Sequence, residues 1–79
     1  MDNYLLNRLQ AVFRTFFKNE SIHLTNSTTA DDIENWDSIT HLNLINEIEN
    51  QFRISFSFEE ILKMKNIGEL IEIIRSKGI

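Results

Sequence analysis

Helix-breaking residues are almost missing from this sequence. It contains no proline, and its two glycines, Gly68 and Gly78, lie near the C-terminal end. Proline and glycine interrupt helices and form tight turns, so a chain with so few of them favours helices over strands and hairpins. A length of 79 residues leaves room for one domain. The sequence therefore predicts a single all-α domain over residues 1–79.

Apolar residues recur at helical spacing in three long segments. This periodicity predicts helices over residues 3–18, 38–52 and 67–77. A short helix is expected after Ser57, where Glu60 completes a capping box, and Asn66 with Glu69 predicts a second cap and box. Residues 19–37 form a long polar connection. The prediction is a four-helix bundle with a short third helix and a long loop between the first two.

The predicted core follows from the same periodicity. The core-facing sector of the second helix consists of Leu44, Ile45, Ile48 and Phe52. The expected loop anchors are Ile22, Leu24 and Ile33. The chain has six phenylalanines, and we expect this cluster to be mostly core: Phe13, Phe16, Phe17, Phe52, Phe56 and Phe58. Ile39 and Leu42 lie off the core-facing sector, so we expect both to remain partly exposed.

Charge is unevenly distributed along the chain. Residues 19–60 carry nine acids against Arg53 alone, a net charge of −8, although the whole chain has −4. Such a surface repels nucleic acid and anionic lipid and favours basic protein partners. No apolar stretch approaches the roughly 18 residues of a membrane span, and residues 1–4 do not resemble a signal peptide. We expect a cytoplasmic monomer that binds neither nucleic acid nor membranes.

Metal-binding patterns are missing as well. The chain has no cysteine, and its two histidines, His23 and His41, are far apart in sequence, which predicts no zinc site. Asp31, Asp32 and Glu34 lack the alternating ligand spacing and central glycine of a calcium loop.

The segment from Asp31 to Leu42 is the most informative one. An acidic loop leads into Asp37-Ser38, which opens an amphipathic helix. Taken alone, such a pair is most often a helix cap, in which Asp37 or Ser38 accepts a hydrogen bond from a first-turn N–H and Trp36 pins the corner.

The order of elements and several motifs resemble the acyl carrier protein family over nearly the whole chain. The family's Asp-Ser-Leu at the start of the second helix appears as Asp37-Ser38-Ile39, with isoleucine in place of leucine. Its Glu-x-x-Phe and Phe-x-Ile-x motifs look like residues 49–52 and 52–55. The segment over residues 36–42, Trp-Asp-Ser-x-x-His-Leu in pattern, is similar to stand-alone carriers outside primary fatty acid synthesis and to carrier domains of polyketide and nonribosomal peptide systems.

The resemblance implies a 4′-phosphopantetheine arm attached covalently to Ser38. A phosphopantetheinyl transferase would add it from coenzyme A, and the arm would hold an acyl or aminoacyl cargo as a thioester. Asp37 would orient the serine region and hold Mg²⁺ or the transferase during modification. The phosphodiester would lie at the positive end of the helix dipole, beside free N–H groups.

The resemblance also implies docking residues for the enzymes that load and transfer the cargo. Ile39 and Leu42 would form an apolar contact spot, and Glu47 and Glu49 would face basic patches on these partners. The alternative for the two glutamates is an ordinary solvated helix face. Trp36 would either contact partners or pin the loop.

Two other functions are open at this stage. The chain could be an unmodified helical adaptor of carrier-like fold that acts through protein contacts. A Ser38–His41 dyad for acyl transfer is conceivable, since the two residues lie within about 60° around the helix. The chain offers no glycine-rich turn for an oxyanion hole and too little mass to enclose a substrate, so we expect no enzyme. His41 is instead expected at the entrance to the core, with a hydrogen bond to the loop.

Overall fold

The computed structural model describes residues 4–78 and contains four α-helices. They are α1 (Tyr4–Phe17), α2 (Ser38–Phe52), α3 (Phe58–Lys63) and α4 (Ile67–Ser76). No strand occurs in the described range, and none of its helices is long and apolar enough to cross a membrane. The predicted all-α bundle with a short third helix is confirmed.

The helix bounds agree with the prediction to within a residue. α2 begins and ends as predicted, while α1 and α4 each end one residue earlier. The predicted first residue of α1, residue 3, lies outside the described residues. The long loop between α1 and α2 also contains a 3₁₀ turn, Ala30–Asp32, which no sequence pattern indicated.

One hydrophobic core joins α1, α2, α4 and the loop. Its buried members are Leu5, Leu9, Phe13, Ile22, Leu24, Ile33, Leu44, Ile45, Ile48, Phe52, Ile67, Leu70, Ile71 and Ile74. The predicted core face of α2 and the three loop anchors are therefore confirmed. Burial of each such side chain contributes about 1.5–3 kcal/mol to the free energy of unfolding, so the loop is held by the same force as the helices.

The phenylalanine cluster is mostly core, as predicted, and Phe58 is the member that lies outside it. Its side chain is 72% exposed, whereas Phe16, Phe17 and Phe56 pack against the core. Phe58 is the first residue of the six-residue helix α3 and directly follows the cap Ser57. Such a short helix turns only part of its surface inward, and Phe58 lies on the part that faces away from the bundle.

Side chains cap the N-terminal ends of α3 and α4. Ser57 Oγ accepts a hydrogen bond from the Glu60 N–H at 3.1 Å, and Glu60 Oε1 accepts one from the Ser57 N–H at 2.9 Å, which confirms the capping box. Asn66 Oδ1 accepts from the Glu69 N–H at 2.8 Å. The second predicted box is wrong in one detail, because Glu69 accepts from the N–H of Lys65 instead of Asn66.

The long loop is tied to the start of α4 by its backbone. The Ile67 N–H donates to the Thr28 carbonyl at 2.9 Å, and the Gly68 N–H donates to the Asn26 carbonyl at 2.8 Å. First-turn N–H groups have no partner within their own helix, so the loop satisfies two of them here. A Cβ on residue 68 would lie 3.0 Å from the Asn26 carbonyl oxygen, and glycine permits this close approach.

Candidate functional site

The start of α2 is held by a reciprocal cap. Asp37 Oδ1 accepts hydrogen bonds from the N–H groups of Ile39 at 3.0 Å and Thr40 at 2.9 Å. In return, the Asp37 N–H donates to Thr40 Oγ1 at 2.7 Å. The hydrogen bonds from the Thr40 backbone and hydroxyl, followed by that from Ile39, lower the pKa of Asp37. Asp37 is therefore an ionised helix cap at neutral pH.

Ser38 has no part in this cap. It is the first residue of α2 and exposed, and its hydroxyl makes no hydrogen bond to any other residue in the range 4–78. A group attached to this oxygen would displace no contact. The serine thus combines a fixed position with a free hydroxyl.

The expected free N–H groups are largely taken. Asp37 Oδ1 already accepts hydrogen bonds from the N–H groups of Ile39 and Thr40. Of the first three N–H groups of α2, the N–H of Ser38 is therefore the one that does not donate to Asp37. The expectation that a phosphodiester on Ser38 would lie beside several free donors is wrong for this reason. The favourable end of the helix dipole remains close to the serine.

Large apolar side chains are exposed around Ser38. Four of them form what we call the α2–α3 apolar face: Ile39 (75% exposed), Leu42 (59%), Phe58 (72%) and Leu62 (64%). Tyr4 is the one other large hydrophobic residue of the described range that is similarly exposed. Exposed apolar area concentrated in one place indicates an interaction surface.

The exposure of Ile39 and Leu42 is confirmed, whereas Phe58 and Leu62 were missed as site residues. Their spacing in the sequence could have identified Phe58 and Leu62 as exposed residues. They are four positions apart on a short helix whose Ile61 packs against the core, so they share the side of α3 that Ile61 leaves open.

A groove of about 540 Å³ runs between α2 and α3 and opens beside Ser38. Its walls include Leu42, Phe58 and Leu62, and Trp36 and His41 also line it. The volume is within the range of small-molecule sites. The groove offers an attached group an apolar surface next to its point of attachment.

Trp36 and His41 are joined to each other at the edge of the core. The indole N–H of Trp36 donates to His41 Nδ1 at 3.0 Å, which confirms the expected hydrogen bond between His41 and the loop. The Trp36 ring also packs edge-on against Phe13, with centroids 5.2 Å apart. Burial lowers the pKa of His41, and the backbone carbonyl of Ile61 acts in the opposite direction.

This arrangement supports one of the two roles expected for Trp36. The half-buried ring packs against the core and pins the loop, while contact of Trp36 with partners stays a prediction. His41 is not placed as a base for Ser38. Its Nδ1 accepts from Trp36, and no hydrogen bond joins it to Ser38 among the described residues.

Glu47 and Glu49 lie on different sides of α2: Glu49 is about 20° around the helix from Leu42, and Glu47 is on another side. Glu49 Oε2 accepts a hydrogen bond from the Phe56 N–H at 2.8 Å, which ties it to the α2–α3 connection. Glu47 accepts from Gln51 at 2.8 Å and lines a different groove, against α1. Glu47 lies about 140° around α2 from Leu42.

No metal site is found within residues 4–78, because no three His, Cys, Asp or Glu side chains in this range lie where they could hold a metal ion together.

Comparison with known proteins gives two matches. The sequence model of the family described as "phosphopantetheine attachment site" matches residues 7–74. The solution structure of the holo acyl carrier protein from Geobacter metallireducens is similar with a TM-score of 0.86 and 42% sequence identity, over 91% of this chain and 83% of that one. No curated protein matches the chain.

Proposed function

The chain belongs to the acyl carrier protein family, and on this premise we propose that Ser38 is the residue that carries its 4′-phosphopantetheine arm. Proteins of this family are carriers and not enzymes. When bound, the arm supplies a thiol that holds an acyl group as a thioester. The observation that supports Ser38 is its exposed hydroxyl at the first position of α2, which no other described residue engages.

Asp37 has two tasks in this proposal. Its Oδ1 holds the first turn of α2, so that Ser38 is presented in one orientation. No hydrogen bond from a described residue occupies its Oδ2. This second oxygen would be available to Mg²⁺ or to the transferase during modification. In that step the Ser38 Oγ forms a bond to the phosphorus next to the pantetheine of coenzyme A, the phosphoanhydride bond breaks, and adenosine 3′,5′-bisphosphate and the hydroxyl proton leave.

The α2–α3 apolar face is the proposed docking surface. Partners are the phosphopantetheinyl transferase and the enzymes that load and transfer an acyl or aminoacyl cargo. Ile39 and Phe58 would enter apolar pockets of these enzymes, while Asp31 and Glu34, exposed in the loop before Ser38, would face basic patches. Tethering raises the local concentration of the cargo at each docked enzyme.

Intact mass tests the attachment site. Incubation of the unmodified protein with coenzyme A and a broad-range transferase should add the mass of one phosphopantetheine group. Ser38→Ala should gain nothing. Ser55→Ala is the matched control, because Ser55 is also exposed and lies outside the α2 cap, and it should be modified like the wild type.

Two outcomes would contradict the proposal. Modification of Ser38→Ala would place the arm on another residue. A wild-type protein that stays unmodified, with an active transferase, would favour the unmodified adaptor of carrier-like fold.

A further inference from the structure

His41 lies where the loop, α2 and α3 meet. Its Nδ1 accepts the indole N–H of Trp36 from the loop at 3.0 Å, and its ring also interacts with the backbone carbonyl of Ile61 in α3. The two rings are nearly parallel, at 26°, with centroids 5.9 Å apart. His41 therefore connects three parts of the chain directly below the groove beside Ser38.

The direction of the Trp36 hydrogen bond requires a neutral imidazole. An indole nitrogen is a donor only, so Nδ1 must be the acceptor and carry no proton. An imidazolium has a proton on both nitrogens. Two N–H donors would then face each other at 3.0 Å, and the hydrogen bond would be replaced by repulsion.

We propose that His41 is a pH-sensitive latch, which in its neutral form holds Trp36 against α2 and releases it when it takes up a proton. The latch is a property of the unmodified chain and does not depend on the arm. It goes beyond the carrier function, because it makes the shape of the groove beside Ser38 depend on pH.

The charged groups around His41 either oppose one another or are paired elsewhere, so protonation of His41 itself controls the latch. Asp37, from the end of the loop, and Lys65, after α3, line the same groove and carry opposite charges. α1 contributes uncharged rings, including Phe13 against Trp36. Glu60 of α3 is engaged in an ion pair with Lys77 at 3.0 Å. Burial of the ring lowers the pKa of His41, which keeps the latch closed at neutral pH.

Release of the latch would affect the groove beside Ser38. Trp36 and His41 both line that groove, so loss of their hydrogen bond frees the Trp36 ring to move within it. α3 stays in place, because Ile61 packs against the core and Glu60 pairs with Lys77. Burial lowers the pKa of His41 whereas the carbonyl of Ile61 acts to raise it, so this contact favours the protonated ring and is kept when the Trp36 hydrogen bond is lost.

Hydrogen exchange of the Trp36 indole N–H tests the proposal. Trp36 is the one tryptophan of the chain, so its indole resonance is unambiguous in ¹⁵N-labelled protein between pH 5 and 8. His41→Gln keeps a neutral acceptor that cannot titrate and corrects for the intrinsic pH dependence of exchange. The ratio of wild-type to His41→Gln exchange rates should rise as the His41 imidazole becomes protonated.

Two further variants complete the test. His41→Phe removes the acceptor, so the indole N–H should exchange fast at every pH. His23→Gln removes the other histidine of the chain and should behave like the wild type. If His41→Phe does not fold, the comparison of exchange rates between wild type and His41→Gln still tests the proposal.

The proposal fails if the exchange ratio stays constant while the His41 imidazole resonances titrate. It also fails if the pH dependence disappears in His23→Gln.

Discussion

Asp37 and Thr40 cap α2 reciprocally: the Thr40 N–H donates to Asp37 Oδ1 at 2.9 Å, and the Asp37 N–H donates to Thr40 Oγ1 at 2.7 Å. The pair satisfies two backbone donors that would otherwise lack a partner at the helix start. As a result the residue between cap and helix body, Ser38, is held in place without using its own hydroxyl.

Asp37→Ala should lower the melting temperature more than Asp37→Asn, since asparagine keeps a capping oxygen. The hydrogen bonds from Thr40 lower the pKa of Asp37 below its ordinary value near 3.8. The stabilisation is therefore complete above that value and is lost as pH falls through the lower pKa of the folded state. Thermal denaturation from pH 2 to 7 measures this. Asp31→Ala, outside the cap, should not reproduce it.

Ser38→Ala should change the free energy of unfolding by no more than about 0.5 kcal/mol, because no hydrogen bond is lost. Ser57→Ala should cost about 1 kcal/mol, since Ser57 Oγ accepts the Glu60 N–H at 3.1 Å. Urea denaturation compares the two serines directly. A larger loss for Ser38→Ala than for Ser57→Ala would show that the hydroxyl of Ser38 has a structural role.

Ile39→Glu should weaken binding to the transferase about tenfold or more, the loss expected when one large aliphatic side chain no longer enters an apolar pocket. The free energy of unfolding should stay within about 0.5 kcal/mol, since Ile39 is 75% exposed. Titration calorimetry gives the affinity. Asn50→Glu, which places the same charge on an exposed position about 16 Å farther along α2, should bind normally. A stability loss of several kcal/mol for Ile39→Glu would place Ile39 in the core.

Gly68→Ala should lower the free energy of unfolding by about 1 kcal/mol. The added Cβ would lie 3.0 Å from the Asn26 carbonyl oxygen, a backbone atom with little freedom to move. Helix propensity alone predicts the opposite, a gain of up to about 1 kcal/mol. Chemical denaturation shows which of the two effects, the close contact or the helix propensity, is larger. Ala11→Gly, at an exposed position of α1, measures the effect of helix propensity separately.

Stability should depend on pH through His41. Burial holds its pKa in the folded state below the ordinary value of 6.5, so the unfolded chain binds more protons. The contribution is complete above about pH 6.5 and declines as pH falls toward the folded-state pKa. In denaturation between pH 5 and 8, the difference in stability between wild type and His41→Gln should shrink or reverse on acidification. A constant difference would contradict this.

Local patterns predicted much of the fold and part of the candidate site. The bounds of α2, the Asp37 cap and the exposure of Ile39 depend on spacing within one helix, and all three agree with the structure. The sequence left open whether Trp36 pins the loop or contacts partners, because its packing depends on Phe13 of another helix. The hydrogen bond from Phe56 to Glu49 likewise depends on the path of the chain after α2.

The sequence by itself determined the four helices, the N-caps of α2, α3 and α4 and the position of a serine at the start of α2. Those features arise between residues about four positions apart, where one turn of helix sets the geometry. The tertiary structure decided which side chains surround that serine. It turned Trp36 inward and Phe58 outward and bound Glu49 to the chain after α2, because each outcome depends on contacts between segments that are brought together only when the core is formed.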